Sequence, residues 1–310
     1  MKKNILITGS SGFIGRHLVK ALECNNDRDL ILLSRRLDPE AHLLQLVTSL
    51  ESITEQVIEY EIDTVVHLAG IAHKSSVESN STDDFFKEIN TNATLNLAKV
   101  LSRKGLKRFV FVSSIGVNGT STTIPFTDSE APNPQTNYSL SKYEAEEGLK
   151  LLSEKLGFEL VIVRPPLVYG SSAPGNFGSL VGLVSKVPLL PFGLTKNLRS
   201  FISVDNLANF LSVCVSHPKA AGETFLISDG EDVSTKEFTS AIAKGLGRRL
   251  YQLPISVGLM NSVARLLGKE KQADQLLGNL QVSSSKARAL LDWKAYETMS
   301  QAMQKLKSGE

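Results

Sequence analysis

Short, mostly apolar segments recur through the first half of the chain, and helical patterns separate them. The segments cover residues 4–8, 30–33, 63–70, 109–112 and 160–163. They are continuous runs and do not alternate apolar with polar residues, which is typical of strands buried on both faces of a parallel sheet. Because strands alternate with helices, the pattern predicts an α/β fold with a doubly wound parallel sheet.

The helical patterns differ in length. An amphipathic helix follows the first strand, and longer helices are predicted over residues 85–99 and from residue 138 onward. Residues 44–47 predict a further strand, and residues 53–58 predict a short helix. This alternation continues to the strand at residues 160–163 and then stops.

The composition changes near Gly170, where prolines and glycines crowd residues 165–178. Such a change is typical of a boundary between domains. We therefore predict a first domain over residues 1–170 and a smaller C-terminal α/β domain over residues 171–310. Residues 196–220 are expected to return to the first domain.

Spaced glycines follow the first strand, in Gly9-Ser10-Ser11-Gly12-Phe13-Ile14-Gly15. Gly9 permits a tight turn, Gly12 lets a pyrophosphate approach the backbone, and Gly15 lets the next helix pack on the sheet. The helix N-terminus offers unpaired N–H groups to phosphates. This context predicts a dinucleotide-binding domain of Rossmann type, and a glycine-rich turn without a ligand is the alternative. The predicted cofactor contacts in this turn are Gly9, Ser11, Gly12, Phe13, Ile14 and Gly15.

The segment after the second strand bears on the choice of cofactor. NAD sites usually place an acidic residue there to bond the ribose 2′-hydroxyl, whereas arginine accommodates the 2′-phosphate of NADP. This chain has Ser34-Arg35-Arg36 and no carboxylate until Asp38. Since a guanidinium matches a phosphate well, Arg35 and Arg36 predict NADP(H), with NAD as the alternative. Two solvated arginines in a loop would give the same sequence.

Tyr138 and Lys142 are candidate catalytic residues. Because residues four apart lie on the same face of a helix, the phenol and the ammonium are expected to be close together. A free phenol has a pKa near ~10, and a nearby cation favours the phenolate. Ser114 follows a buried strand, at the edge of the sheet where catalytic side chains of open α/β folds gather. The three residues suit proton transfer at an alcohol or carbonyl oxygen while a hydride moves. A solvated tyrosine–lysine pair is the alternative.

Composition narrows the classes of function. The formal net charge of +2, from 34 basic and 32 acidic residues, argues against a nucleic-acid or membrane partner. No apolar run approaches the length of a membrane span and no signal peptide precedes the first strand, so we expect a cytoplasmic protein. Cys24 and Cys214 are expected to be buried, reduced thiols. The histidines show no paired spacing, which predicts no metal site.

Motifs along essentially the whole chain resemble one enzyme family. They are Thr8-Gly9-x-x-Gly12-Phe13-Ile14-Gly15, His67-Leu68-Ala69-Gly70, Asn90-Thr91-Asn92-Ala93-Thr94, Tyr138-x-x-x-Lys142 after Ser114, Arg164-Pro165 with Val168-Tyr169-Gly170, and Arg199 to Ala208. In this order they resemble the extended short-chain dehydrogenase/reductase family. That family contains NAD(P)-dependent nucleotide-sugar epimerases, dehydratases and reductases.

The resemblance implies roles for further residues. It makes Ser114, Tyr138, Lys142 and Asn90 the catalytic residues. It implies additional cofactor contacts at Leu68, Ala69, Gly70, Ser113, Tyr138, Lys142 and Pro165. It implies substrate contacts at Ser114, Asn176, Phe177 and Arg199, of which Arg199 would hold the diphosphate of a nucleotide sugar in the second domain.

Residues 116–119, 165–170 and 228–235 most resemble the bacterial surface-polysaccharide branch of the family. Members of that branch resemble UDP-glucose 4-epimerases or 4-reductases of UDP-4-keto-6-deoxy-N-acetylhexosamines. Because a reductase draws on exchangeable NADPH, Arg35 and Arg36 favour the 4-reductase. A 4-epimerase with tightly bound NAD is the alternative, and a small-molecule carbonyl reductase or a nucleotide-sensing regulator is less favoured.

Two further expectations follow from the resemblance. Val117-Asn118-Gly119 replaces the usual Val-Tyr-Gly, so the substrate pocket should differ from that of the common 4-epimerases. Relatives often dimerise through two helices, and residues 85–103 and 138–156 could form such a homodimer.

Overall fold

The computed structural model describes residues 2–24, 27–39, 41–72 and 82–308. Its strands are β1 (Lys3–Thr8), β2 (Arg28–Ser34), β3 (Leu44–Val47), β4 (Thr64–His67), β5 (Arg108–Val112), β6 (Glu159–Arg164), β7 (Leu167–Tyr169), β8 (Leu189–Leu190), β9 (Arg199–Ser203), β10 (Thr224–Leu226), β11 (Asp232–Val233) and β12 (Tyr251–Gln252). Its α-helices are α1 (Phe13–Glu23), α2 (Thr82–Phe86), α3 (Ala93–Ser102), α4 (Asn137–Leu156), α5 (Gly175–Lys186), α6 (Val204–Ser216), α7 (Thr235–Gly245), α8 (Val257–Leu266), α9 (Glu270–Leu277), α10 (Ser285–Leu291) and α11 (Met299–Ser308).

The central feature is a seven-stranded parallel sheet in the order β3-β2-β1-β4-β5-β6-β10. The chain moves from β1 to one edge through β2 and β3, then crosses to β4 and moves to the other edge. This reversal leaves a crevice at the carboxyl ends of β1 and β4, where ligands of such folds bind. The predicted doubly wound parallel sheet is confirmed.

Two helical layers cover the sheet. On one face, Ile5 and Ile7 of β1 lie in a core with Leu18 of α1 and Phe210 of α6. On the other face, Leu6 lies in a second core with residues of α3 and α4. Because neighbouring residues of β1 point to opposite faces and both faces are buried, the strand reads as a continuous apolar run.

A second lobe forms beside the carboxyl edge of the sheet. It contains the three-stranded sheet β11-β9-β7, the pair β12-β8, and helices α5, α7 and α11. An aromatic cluster fills its core, in which the rings of Phe201 and Phe238 are stacked with centroids 3.8 Å apart. Tyr169 and Phe177 complete the cluster.

Residues 196–220 divide between the two lobes. Strand β9 pairs with β7 in the small sheet, with Leu167 opposite Phe201. Helix α6 instead packs on the large sheet through Leu207 and Phe210. The strand that joins the large sheet is β10, so the expected return is made by α6 and β10 and not by β9. The domain boundaries themselves remain a prediction.

Other local expectations differ from the structure. Residues 53–58 form no helix: a single 3₁₀ turn ends at Ser52, yet Ile53 and Ile58 are buried, so their apolar spacing reflects a loop packed on the core. Cys214 is buried as expected, whereas Cys24 is exposed at the end of α1. Within the described ranges, no helix combines the length and apolar character needed to cross a membrane.

Candidate active site

The glycine turn joins β1 to α1 at the crevice. Gly9 has a φ of 70°, and a Cβ there would lie 2.9 Å from the backbone nitrogen of Ala69. A Cβ on Gly15 would lie 2.2 Å from the carbonyl oxygen of Gly9. Any side chain at these positions would therefore push the turn away from β4 or the helix away from the turn.

The N-terminus of α1 is open to an anion. Gly12 is its N-cap residue, no side chain caps the helix, and its first turn carries no acidic residue. The first N–H groups of a helix have no partner within the helix, and together with the helix dipole they favour a phosphate. Ser11, Phe13 and Ile14 are next to this end along the chain, and their contacts with a pyrophosphate stay a prediction.

Arg35 and Arg36 lie directly after β2, both exposed. Ser34 donates a hydrogen bond to the carbonyl of Arg36 at 2.7 Å, which shapes the turn after the strand. Since β2 is paired to β1 in parallel, with Thr8 opposite Leu33, the arginines stand at the same edge as the glycine turn. The geometry is compatible with their predicted contact to a 2′-phosphate.

His67, at the end of β4, connects neighbouring elements of the site. Its ring nitrogens lie 2.8 Å from the hydroxyls of Thr8 and Thr94. Burial lowers the pKa of His67 to about 3, with a smaller contribution from Lys142. The ring is therefore neutral, so one nitrogen donates while the other accepts. Thr8 in turn accepts from the N–H of Ala69 at 3.2 Å, which fixes the segment of Leu68 and Ala69.

Asn90 lies in a π-helical turn, Lys87–Asn92, between α2 and α3. Its side chain is fully buried and accepts from the Ile71 N–H at 2.9 Å, while it donates to Ile71 O and to the Ser141 hydroxyl, both at 3.0 Å. It therefore fixes the chain after β4 against α4. A π turn inside a helix is common at functional sites. In this geometry Asn90 holds the segment after β4, and its catalytic role stays a prediction.

Ser113 and Ser114 follow β5, and Tyr138 faces them from the first turn of α4. Thr136 and Ser139 form a capping box that starts α4 there. Burial raises the pKa of Tyr138, and a hydrogen bond with Ser114 opposes the rise. The predicted serine–tyrosine pair is thus brought together. The sequence predicted that Lys142 would lower the pKa of the phenol, but in the structure it is Ser114 that opposes the effect of burial.

Lys142 lies one turn further along α4 and is buried. Its ammonium donates to the carbonyl of Val112 at 3.1 Å and lies 4.7 Å from the centre of the Phe111 ring. Burial lowers the pKa of Lys142 to about 8, and the charge of Glu146 opposes that shift. A Cβ on Gly70 would lie 3.2 Å from this ammonium, so the space beside Lys142 is reserved for a close approach.

Glu146 and Arg164 form a buried ion pair behind Lys142. Two guanidinium nitrogens of Arg164 donate to the two carboxylate oxygens of Glu146, and a third donates to Asn118 Oδ1 at 2.9 Å. Asn118 stands where the family pattern has a tyrosine, so here that position serves the ion pair. The next residue, Pro165, accepts through its carbonyl from the Ile115 N–H at 3.0 Å and fixes the loop of Ser114.

The predicted substrate residues lie in the second lobe. Arg199 starts β9 and donates to the carbonyl of Gly278 at 3.0 Å. Burial lowers the pKa of Arg199 to about 10. Asn176 is exposed in the first turn of α5. Phe177, in contrast, is buried in the aromatic cluster, so the expected contact between its side chain and a substrate is not available.

These residues fit a nicotinamide dinucleotide. The uncapped helix and the glycine cradle suit its pyrophosphate. Ser113 Oγ is buried and has no hydrogen-bond partner in the part of the chain that the structure describes. No cluster of three or more potential metal ligands occurs among the described residues.

A family model supplies the decisive comparison. The model of the NAD-dependent epimerase/dehydratase family matches residues 5–228, well over half of the chain. The chain belongs to the NAD-dependent epimerase/dehydratase family. The protein is therefore an enzyme of a nicotinamide-dependent family, as the motifs predicted.

Relatives within the epimerase/dehydratase family cover nearly the whole chain. A UDP-glucose 4-epimerase of Vibrio cholerae is 40% identical over 304 residues, which cover 96% of this chain and 93% of the relative. An N-acetyl-α-D-glucosaminyl-diphospho-ditrans,octacis-undecaprenol 4-epimerase of Escherichia coli O157:H7 is 25% identical, covering 87% and 82% of the two chains. The first similarity extends far beyond the short motifs.

Solved structures share the fold. A UDP-glucuronic acid 4-epimerase from Bacillus cereus in complex with NAD superimposes with a TM-score of 0.79 at 19% identity, covering 99% of this chain and 96% of that one. RMD from Pseudomonas aeruginosa complexed with NADPH gives 0.76 at 20% identity, covering 99% of both chains. Structural neighbours thus bind either nicotinamide cofactor, so they support the cofactor class without choosing within it.

Glu146, which lies near Lys142 and pairs with Arg164, was not predicted as part of the site. Glu146 could have been noticed because it follows Lys142 by four residues on the same helix face. The pairing of Glu146 with Arg164 and the contact of His67 with Thr94 could not be predicted from the local sequence. Both depend on segments that are distant along the chain.

Proposed function

We propose that this protein is a 4-epimerase of a sugar carried on a diphosphate, with a UDP-hexose as the first substrate to test. The observation that carries the proposal is the meeting of Tyr138, Ser114 and Lys142 at the carboxyl edge of the sheet. The 40% identity to a UDP-glucose 4-epimerase supports C4 as the reacting position. This was the alternative to the 4-reductase, and the relatives favour it.

The site offers residues for each part of the dinucleotide. The α1 N-terminus would hold the pyrophosphate, Arg35 and Arg36 would lie near the adenosine ribose, and Ser113 and Lys142 would contact the nicotinamide end. When bound, the nicotinamide supplies hydride transfer at C4 of the sugar. NAD fits an epimerase that recycles its cofactor.

The protein's own groups handle the proton on the C4 oxygen. Tyr138 takes that proton when the alcohol is oxidised and returns it when the carbonyl is reduced. Ser114 donates a hydrogen bond to the same oxygen and holds it in place. Lys142, held in place by Val112 and Phe111, would bind the nicotinamide ribose of the cofactor. Proton transfer of this kind contributes a factor of about 10² to 10⁴.

Arg199 would hold the diphosphate in the second lobe. Its guanidinium donates to a backbone carbonyl and forms no ion pair with a carboxylate among the described residues. An anion between the lobes would pair with this charge, with the sugar extending toward Tyr138. The E. coli relative named for a diphospho-undecaprenol sugar shares the diphosphate with the UDP-sugar relatives.

A 4-reductase is the second candidate, and Arg35 with Arg36 is the observation that favours it. A reductase needs exchangeable NADPH and an already oxidised UDP-4-keto-6-deoxy-N-acetylhexosamine. Both reactions use the same catalytic residues, so only the cofactor and the product distinguish them.

The test combines two measurements on the purified protein. The protein is denatured to identify any released nucleotide, and is separately given UDP-hexoses alone or the UDP-4-ketosugar with NADPH. Released NAD and interconversion of C4 epimers without net cofactor consumption are expected. Stoichiometric oxidation of NADPH by the ketosugar would instead establish the reductase. If the protein catalysed neither reaction, both candidate functions would be refuted.

A further inference from the structure

An apolar groove lies in the second lobe, apart from the catalytic residues. Helices α8 and α9 form one wall, and the segment after β8 forms the other with Pro191 and Phe192. The groove encloses about 420 Å³, within the range of roughly 300–1,000 Å³ typical of small-molecule sites. Of its lining side chains, Lys269 and Gln272 are polar and the others are apolar.

The wall formed by α8 is poorly covered. No residue of this helix is buried, although its sequence is strongly amphipathic. Leu259 is 55% exposed and Val263 is 46% exposed, and both line the groove. Apolar surface left open in this way usually marks a binding site.

Arg199 does not line the groove, but it contacts the segment that directly follows the lining residues of α9. Leu276 and Leu277 line it at the end of α9, and the next residue, Gly278, accepts the hydrogen bond from Arg199. Asn197 also donates to the carbonyls of Leu276 and Gly278, at 3.2 and 3.1 Å. These bonds fix Asn197 and Arg199 to the backbone at the end of α9.

This order of groups matches an amphiphile with an anionic head. A guanidinium without a carboxylate partner among the described residues attracts a diphosphate, and the apolar walls that follow it suit a hydrocarbon chain. A ribose and base placed along these walls would leave most of their polar groups without hydrogen bonds. The walls therefore suit a hydrocarbon chain, and the uridine of a UDP-hexose bound at Arg199 would lie outside the groove.

We propose that the groove binds the hydrocarbon chain of a polyprenyl diphosphate whose diphosphate lies at Arg199. The inference rests on the proposed function, in which Arg199 holds the substrate's diphosphate. It makes a sugar polyprenyl diphosphate a substrate of the same site, and the isoprenoid lies along α8 and α9.

Calorimetric titration of the full-length protein tests this with inorganic diphosphate, geranyl diphosphate, farnesyl diphosphate and UDP. Burying a methylene group raises affinity by up to about fourfold. We therefore expect farnesyl diphosphate to bind at least about tenfold more tightly than geranyl diphosphate, and both more tightly than inorganic diphosphate. Equal affinity for all three diphosphates would overturn the proposal.

Variants on α8 locate the chain. Replacing Leu259 and Val263 together by glutamine should reduce the affinity for farnesyl diphosphate to about that of inorganic diphosphate. The matched control is Leu266→Gln on the same helix, because Leu266 is 86% exposed and does not line the groove. If only Leu266→Gln lost affinity for farnesyl diphosphate, or if binding to anionic vesicles depended on Leu266, α8 would contact a bilayer. Either result would refute the proposal that the groove binds the hydrocarbon chain.

Arg199→Gln separates this inference from the proposed function. If the groove assignment alone is wrong, Arg199→Gln weakens both UDP and inorganic diphosphate, but chain length has no effect in the parent protein. If the substitution changes neither ligand, the diphosphate site of the proposed function is itself wrong. Farnesol as tightly bound as farnesyl diphosphate would also overturn the link to Arg199.

Discussion

Helix α4 and the pair α8–α9 differ in how deeply their residues are buried. Helix α4 buries Lys142 and Glu146, and both make contacts with neighbouring elements. Neither α8 nor α9 buries any residue, and α8 turns leucines outward. Helix α4 is thus held on several sides, whereas α8 leaves apolar side chains exposed.

The difference follows from what each surface has to do. Proton transfer needs Tyr138 and Ser114 within hydrogen-bond distance of one oxygen, so their supports must be rigid. A hydrocarbon chain is recognised by shape and apolar area, which tolerate small movements. Substitutions on α4 should therefore have large and specific effects, and those on outer segments smaller ones.

The largest effect is expected from Tyr138→Phe. Loss of the phenol removes the proton donor and acceptor, so turnover should fall by about 10² to 10⁴ while cofactor binding is retained. Turnover of the sugar nucleotide and fluorescence titration of the cofactor measure the two properties. Tyr143→Phe, on the next turn of α4, is the control and should keep normal turnover. Equal activity in both variants would remove Tyr138 from the mechanism.

Glu146→Gln tests the support behind the catalytic lysine. It leaves the guanidinium of Arg164 buried without its carboxylate, which should lower the free energy of unfolding by about 3 to 5 kcal/mol. Urea denaturation measures the loss. Glu147→Gln, which removes an exposed pair with Lys150, should cost less than about 1 kcal/mol. Similar stability in both variants would show that burial does not set the value of the pair.

Replacing Arg35 and Arg36 by serine probes an exposed part of the cofactor site. A charge-assisted hydrogen bond contributes about 1.5 to 3 kcal/mol, so affinity for NADPH should fall roughly 10- to 100-fold while that for NAD stays unchanged. Competition titrations with both cofactors measure this. Arg103→Ser, remote from the glycine turn and paired with Glu55, is the control. An equal loss for NAD and NADPH would contradict a 2′-phosphate contact.

The pH dependence should report on Lys142. Its pKa of about 8 means that the ammonium is protonated below that pH and loses its proton above it. Because the proposed role of Lys142 requires the protonated ammonium, kcat/KM should fall about tenfold for each pH unit well above 8. A profile of kcat/KM measured where the fold is intact checks this, and a flat profile to pH 10 would contradict the assignment.

Much of the catalytic region follows from the sequence. The apolar runs predict the parallel sheet because its strands are buried on both faces, as β1 shows through Ile5, Leu6 and Ile7. The glycines predict the turn at α1 because only glycine permits those close approaches. Tyr138 and Lys142 lie one helical turn apart, so their proximity is local. The predicted roles of the individual site residues remain to be tested by substitution.

What depended on distant contacts was missed or misplaced. Phe177 was predicted to contact the substrate because of its place in a family motif. In the structure its ring packs against Tyr169 and Phe238 in the core of the second lobe. Strand β9 pairs with β7 in place of the large sheet, although its apolar pattern suits either. The partner of Glu146 lies 18 residues away, and no local pattern marks it.

The sequence by itself determined the fold class, the glycine turn after β1 and the proximity of Tyr138 to Lys142, because each depends on residues within a few positions of one another. The tertiary structure alone decided that Asn90 is bonded to Ile71 after β4, that Arg164 pairs with Glu146, and that Arg199 is bonded to Gly278 after α9. Those relations depend on which segments pack together. Packing minimises exposed apolar area and unpaired charge over the whole chain, so a local pattern does not specify it.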